Sequence, residues 1–309
     1  MYLEILMTLA GFILMIFGGD QLVHGALKLG QRFGLSQAFM GLTIVAFGTS
    51  APELFTTILA QLKGQNDIAL ANIMGSNIFN IALVLGFIGL IQPIFVSIKE
   101  IRTELALVIG VSLFIWGSGV FGSITLFHGL FLIGVYIVFV YFRTRQESQK
   151  EESFQDKSIS LLKSSLRVLV GISLLGVGAH FSLNGSIQIG RSLGWEERLI
   201  GAFIISIGTS LPELVTSSLA AFQNKAEMAL SNIIGSNLLN SILVLGSASF
   251  FNTISVSPDV LKMDLSFNAL ASLLVLVFLF VFKNKITRAQ GGLWIFIYFC
   301  YAGLSFGIF

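Results

Sequence analysis

Glu53 and Glu213 each stand inside a long apolar run, preceded by nearly the same residues: Gly48-Thr49-Ser50-Ala51-Pro52-Glu53 and Gly208-Thr209-Ser210-Leu211-Pro212-Glu213. Thr49 and Glu53 lie four residues apart, as do Thr209 and Glu213, so on a helix each pair shares one face. A second polar stripe follows each pair, Asn72, Ser76 and Asn80 in the first case and Asn232, Ser236 and Asn240 in the second. Together they offer carboxylate, hydroxyl and amide groups, with no sulfur or imidazole. Such an all-oxygen set suits a hard cation: Ca2+ first, Na+ as well, and Mg2+ or Mn2+ less readily. The two carboxylates carry a charge of −2, which one Ca2+ neutralises.

The prolines say how the backbone must behave there. Pro52 has no N–H and clashes with the carbonyl four residues back, so a helix must kink or break at this point, and Pro212 imposes the same on its own segment. A break is expected to free carbonyls such as those of Ala46 and Phe47, and those near Ser206 and Ile207, which in lipid need a partner. A purely structural reading also exists. Ser50 to Glu53 and Ser210 to Glu213 both fit a capping box, serine followed three residues later by glutamate. Glutamine would cap as well, however, and a carboxylate at mid-membrane costs at least about 2.5–3.5 kcal/mol. Two such glutamates, each beside an Asn/Ser stripe, favour ion chemistry over capping.

The elements that must position these residues are membrane helices. Of 309 residues, 55% are hydrophobic and only 11% charged, and the mean hydropathy is +0.88. Soluble domains carry about 25% charged residues, so the composition is that of an integral membrane protein. Apolar runs of spanning length occur near 2–27, 35–62, 68–91, 101–120, 122–142, 161–187, 195–222, 228–251, 262–282 and 291–308. The N-terminal run lacks a basic start and a small-residue cleavage site, and is expected to be a retained first helix. One cysteine, Cys300, and three histidines leave no disulfide framework or Cys/His metal cluster, and no cofactor is expected. A net charge of +2 argues against a nucleic-acid partner.

The chain is also a duplication. Residues 41–86 and 201–246 align without a gap at an offset of 160, with 23 of 46 positions identical. The offset extends outward: Gly18, Gly25, Gly30 and Gly34 meet Gly178, Gly185, Gly190 and Gly194, and Arg102 and Glu104 meet Lys262 and Asp264. Between the halves runs a charged stretch, Arg143 to Lys157. The expected organisation is therefore a first five-helix repeat over 1–143, a short linker over 144–160 and a second repeat over 161–309. Five is odd, so the second half must enter the membrane in the opposite sense. The fold class expected is an all-α membrane protein of ten helices in two inverted repeats, with helices 2 and 7 broken. Lys and Arg set the orientation: 14 of the 18 fall on the side of the linker and 4 on the other. Both termini are then outside and the linker is cytoplasmic.

Smaller features carry weaker expectations. Asp67 and Glu227 should face the positive ends of the third and eighth helices. Asp20 and His180, equivalent under the offset, read as interior hydrogen-bonding groups. Trp195, Trp294, Tyr298 and Tyr301 read as anchors at the membrane–water interface.

GTSAPE with GSNIFN, and GTSLPE with GSNLLN, resemble the two alpha repeats of the sodium/calcium exchangers, in the cation/calcium antiporter superfamily. The resemblance implies a secondary antiporter, not an enzyme, that exports Ca2+ against inward Na+ by alternating access across the cell (inner) membrane. It implies Glu53 and Glu213 as principal cation ligands, with Thr49, Thr209, Ser50 and Ser210 adding hydroxyl or backbone oxygens. Ser76 and Ser236 resemble Na+ ligands, Asn80 a ligand of the central site, and Ala46 and Ser206 carbonyl donors. It also implies that helices 1 and 6 slide against the rest. Potassium-dependent members carry Asp at the position of Asn240, so this chain resembles the potassium-independent ones. The short linker lacks the calcium-sensing domain of animal members. The chain is expected to work as a monomer in the lipid bilayer, with Ca2+ and Na+ as its partners.

Three rival functions stand against this one. A proton/calcium exchanger could use the same glutamates. A cation channel would more naturally be a symmetric oligomer with a filter ring. An intramembrane hydrolase would need a Ser–His or paired-acid constellation, and His24, His128 and His180 lie outside both repeats.

Overall fold

A computed structural model of the chain describes residues 2–95, 98–150, 156–194, 204, 206–281 and 285–305. The described chain is overwhelmingly helical: α1 Tyr2–Phe33, α2 Gln37–Thr49, α3 Ala51–Leu62, α4 Asn66–Ile91, α5 Ile98–Val120 and α6 Leu126–Lys150. The second half continues with α7 Leu161–Ser192, α8 Ser206–Thr209, α9 Leu211–Phe222, α10 Ala226–Ala248, α11 Pro258–Leu279 and α12 Arg288–Ser305. Seven described helices are each long and apolar enough to cross a membrane, or eight if the bent pair α2 and α3 is one span. The span expected over 195–222, with Trp195 and Arg198, lies partly outside the described residues.

Two compact units draw on both halves of the sequence: 1–52 with 138–232, and 53–137 with 233–309. In the first unit, α1 and α7, 32 residues each, pack antiparallel along a seam of glycines. A methyl group at Gly11 would fall 2.5 Å from the Gly178 carbonyl oxygen, and one at Gly171 would fall 2.8 Å from that of Gly18. Further along, Gly25 meets Val168 and Gly185 meets Thr8. Each contact turns into another when the partners exchange under the offset of 160: Gly11 with Gly178 becomes Gly171 with Gly18, and Gly25 with Val168 becomes Gly185 with Thr8. Small residues permit this approach of backbones, which in lipid must do much of the work of helix association. We expect Gly171→Ala to destabilise the protein by about 1–3 kcal/mol, because backbone atoms of Leu22 and Gly18 cannot yield. Gly176→Ala, with open space around it, should be neutral or slightly stabilising. Thermal unfolding of both variants in detergent checks the contrast; equal melting temperatures would mean the seam is slack.

The same unit gathers the linker end of these helices. Arg32 donates to the carbonyls of Lys157 and Ile159, and Asp156 N–H donates to the Gln31 carbonyl at 3.0 Å, so residues 156–159 lie against the last turn of α1. The Asp156 carboxylate accepts from the Ser158 hydroxyl and N–H, which with Lys28 hold it below the ordinary range. Helix α6 continues past its expected end at 142 as far as Lys150. The reason is a buried i,i+4 pair, Arg143 with Glu147 at 3.1 Å, whose carboxylate also accepts the Ser36 N–H at the start of α2. The charges read as linker are thus partly helix.

In the second unit, short strands tie the loops together. β1 Ile94–Phe95 pairs with β4 Lys285–Ile286, and β2 Ser123–Ile124 pairs with β3 Ile254–Ser255. The first pair joins the α4–α5 and α11–α12 loops and the second joins the α5–α6 and α10–α11 loops. Ser112 of α5 meets Ser272 of α11 at 3.1 Å, again residues related by 160. The aromatic anchors need correction. Trp294 is 2% exposed and packs on Phe278, while Tyr298 is 7% exposed and meets Phe79 edge-on. The Tyr301 hydroxyl donates to Asp264. Trp294 and Tyr298 are interior packing, where their large apolar area is removed from polar surroundings, and Tyr301 is part-buried.

Candidate ion-binding site

The chain breaks where the prolines require. Helix α2 gives way to α3 at Ser50, with φ −82° and ψ 5° and a bend of 45°. Ser210 adopts φ −92° and ψ 5° ahead of α9. Pro52 and Pro212 then sit in the first turn of the new helices, where a missing N–H does no harm. The carbonyls before the break are not left bare. That of Ala46 accepts the Ser50 N–H at 2.9 Å and the Thr49 hydroxyl at 3.2 Å, and that of Ile207 accepts the Ser210 N–H at 3.1 Å. At Ser210 the last turn tightens so that the serine still reaches back, while the Ser50 bond keeps the ordinary α-helical reach. The capping box does not form at Ser210, whose side chain makes no cap bond and whose backbone is not extended as a cap requires.

In the first unit, the Ser50 hydroxyl donates instead to the carboxylate of Glu213 at 3.0 Å, joining residues 163 apart in sequence. Glu213 is fully buried, and Thr49, Thr209 and Ser210 are buried with it. The Thr49 hydroxyl faces the Asn232 amide oxygen at 3.5 Å, and the Asn232 amide donates to Ser217 at 2.8 Å. Ser206 opens α8.

In the second unit, Glu53 is likewise fully buried, and the Ser76 hydroxyl donates to it at 3.4 Å. Asn72 donates to Thr57 at 3.0 Å and to the Glu53 carbonyl at 3.4 Å. Asn72 with Thr57 and Asn232 with Ser217 are the same bond at the offset of 160. Ser236 is buried here too.

An amide chain, unexpected from the sequence, completes the second unit. Asn80 donates to the Asn237 amide oxygen at 3.1 Å, Asn237 donates to the Asn77 carbonyl at 3.1 Å, and Asn77 donates to Ser241 at 2.7 Å. Asn77 and Asn237 fall off the i,i+4 stripes, so spacing passed them over. The signal that could have found them is their identity at the offset, one place after Ser76 and Ser236. Asn240 is fully buried, and neither atom of its amide meets a partner among the described residues. The backbone also changes here, since α4 becomes π-helical over Phe79–Val84 and α10 over Asn240–Val244. Wide turns of this kind concentrate at functional sites, because the extra residue re-aims the side chains around it.

Asp67 and Glu227 lie in the first turns of α4 and α10. Asp20 accepts from Gln223 at 3.0 Å and His180 meets Asn184 at 3.0 Å, but His180 is exposed and Asp20 only part-buried, so neither is the interior group expected from the sequence.

Long apolar helices with buried carboxylates and hydroxyls at the breaks, and buried amides in the neighbouring helices, mark a membrane protein whose buried oxygen groups suit a small cation. Comparison with known proteins makes this specific. The profile of the family described as "Sodium/calcium exchanger protein" matches residues 3–145 and 163–307. The chain is 32% identical over 301 residues to the uncharacterized membrane protein MJ0091 of Methanocaldococcus jannaschii, covering 94% of both. It is 27% identical over 317 residues to the sodium/calcium exchanger MaX1 of Methanosarcina acetivorans, covering 89% of this chain and 90% of that protein. Its fold is similar to the solved structure of the sodium-calcium exchanger NCX_Mj soaked with 10 mM Na+ and zero Ca2+, with a TM-score of 0.86 at 30% identity over 98% of both chains. The chain belongs to the sodium/calcium exchanger family and is a transmembrane antiporter.

Proposed function

We propose that this antiporter moves Ca2+ out of the cell in exchange for inward Na+, without a requirement for K+. The observation that carries the reading is the pair of fully buried glutamates, each holding a serine hydroxyl: Ser50 on Glu213 and Ser76 on Glu53. Each carboxylate stands at or just after a helix break, the position at which transporters bind ions. On charge grounds the two serve one Ca2+, with Thr49, Thr209, Ser50, Ser210, Ser76, Ser236, Asn80 and Asn240 adding oxygens, and Ala46 and Ser206 carbonyls. Asn240 brings no third charge, which favours exchange without K+. The named exchangers among its relatives, MaX1 and NCX_Mj, support the pairing of Na+ with Ca2+.

The architecture we propose is ten spans in two inverted five-helix repeats, 1–143 and 161–309 joined by the linker. The offset-related contacts along α1 and α7, and the antiparallel course of these equivalent helices, support it. The 14 to 4 split of Lys and Arg supports a cytoplasmic linker, outside termini and an inner-membrane location. Exchange that brings in more positive charge as Na+ than leaves as Ca2+ would draw on the membrane potential, at about 2.3 kcal/mol per charge per 100 mV.

The full chain in proteoliposomes tests this reading. Vesicles with an outward gradient of Na+, K+ or H+, each alone, should take up radioactive Ca2+ only with Na+, and should do so in K+-free buffer. Uptake driven by H+ alone and not by Na+ would make the protein a proton/calcium exchanger. Silence until K+ is added would overturn the role given to Asn240.

A further inference from the structure

We infer that the linker ends of α1 and α7 form a binding site for the headgroup of an anionic phospholipid. A cavity of about 480 Å3 lies there within the first unit, lined by Lys28 of α1, Lys163 and Arg167 of α7, and Ser160, with Leu166 and Val170 beside them. No carboxylate among the described residues lines it. Lys163 and Arg167 are one turn apart on one face of α7, and Leu166 and Val170 continue that face. Leu166 and Val170 are half-exposed, offering apolar surface just beyond the charges. Ser160 caps α7, accepting the Lys163 N–H at 3.4 Å, so the positive end of a 32-residue helix opens beside the cavity.

The three cations are not already neutralised there. Lys28 donates to the Gln31 amide oxygen at 3.1 Å, and none of the three forms an ion pair with a carboxylate among the described residues. Asp156 and Glu227 line a neighbouring cavity that Lys28 also borders, so Lys28 feels some negative charge from that side. Lys163 and Arg167 line the basic cavity and do not border that neighbour.

Basic residues at a span end are usual on the cytoplasmic side, and single ones simply reach the interface. What differs here is convergence: three charges from two helices around one concavity, with a helix N-terminus and an apolar wall. Phosphate would meet the charges and the N-terminal N–H groups, and the acyl chains would run along Leu166 and Val170. A lipid so held bridges α1 to α7. That it belongs to the cytoplasmic leaflet rests on the orientation proposed above.

Each basic residue near an anionic surface contributes roughly a fivefold preference, so three together amount to on the order of a hundredfold. Native mass spectrometry of the full chain in neutral detergent, titrated with dioleoyl phosphatidylglycerol or dioleoyl phosphatidylcholine, reads this out. Wild-type protein should retain one phosphatidylglycerol at concentrations where phosphatidylcholine is not retained. The Lys28→Gln/Lys163→Gln/Arg167→Gln variant should lose the preference, while Arg145→Gln/Lys225→Gln, which removes charge elsewhere, should keep it. If the triple variant does not fold, the single Arg167→Gln variant should lose roughly fivefold. In wild type, the preference should also collapse as salt rises from about 0.05 M to about 0.5 M. Equal retention of the two lipids, a preference surviving in the triple variant, or equal loss in the control variant would overturn the inference. Displacement of the lipid by glycerol phosphate at matched concentration would assign the cavity to a soluble phosphate and overturn it as well. None of these outcomes depends on ion transport, so they are separate from the fate of the exchange reading.

Discussion

Glu213→Gln and Glu53→Gln should each abolish Na+-driven Ca2+ flux while leaving a folded, membrane-inserted protein. Glutamine keeps the shape of glutamate and an oxygen that can accept the Ser50 or Ser76 hydroxyl, so the local contacts at 3.0 and 3.4 Å need not be lost. What disappears is one of two negative charges. At about 4 Å and an effective dielectric of about 20, one unit charge attracts a divalent ion by roughly 8 kcal/mol. Removing a carboxylate also removes its own cost of burial, which returns much of that figure. A loss of at least about a hundredfold in apparent Ca2+ affinity remains a conservative expectation. Uptake of radioactive Ca2+ into proteoliposomes, with gel filtration to verify folding, measures it. Near-wild-type flux in Glu213→Gln would mean that the glutamates serve structure alone.

The break and its consequences were largely legible in the sequence. Pro52 and Pro212 dictate where the helices stop, and Ser50 and Ser210 take up nearly identical backbone angles there. The repeated Asn72–Thr57 and Asn232–Ser217 bonds follow from residues present at both copies of the offset. Local rules reach no further. The bond from Ser50 to Glu213 joins distant segments, and no periodicity carries that information. The i,i+4 rule chose Asn72, Ser76 and Asn80, whereas Asn77 and Asn237 turn out to knit the amide chain, and π-helical turns follow where the rule assumes a regular helix. Trp294 and Tyr298 look alike in sequence whether they face an interface or an interior, and only packing against Phe278 and Phe79 distinguishes the two. Arg143 and Glu147 read as linker charge until their pairing and burial extend α6. The long α1 and α7 overrun their apolar stretches for a related reason. At 1.5 Å per residue, 32 residues exceed a hydrocarbon core of about 30 Å, so their ends must carry polar residues.

Whether one Ca2+ takes the charge of both Glu53 and Glu213, as proposed on charge grounds alone, is tested most directly by counting Ca2+ on the protein. Isothermal titration of the purified full chain in Na+-free, K+-free buffer should give one Ca2+ per chain, displaced when Na+ is added. Glu53→Gln and Glu213→Gln should each give none measurable, because half the neutralising charge is not half a site. Two Ca2+ per wild-type chain, with either glutamine variant keeping one of them, would mean that the two carboxylates serve separate ions, and would contradict the account.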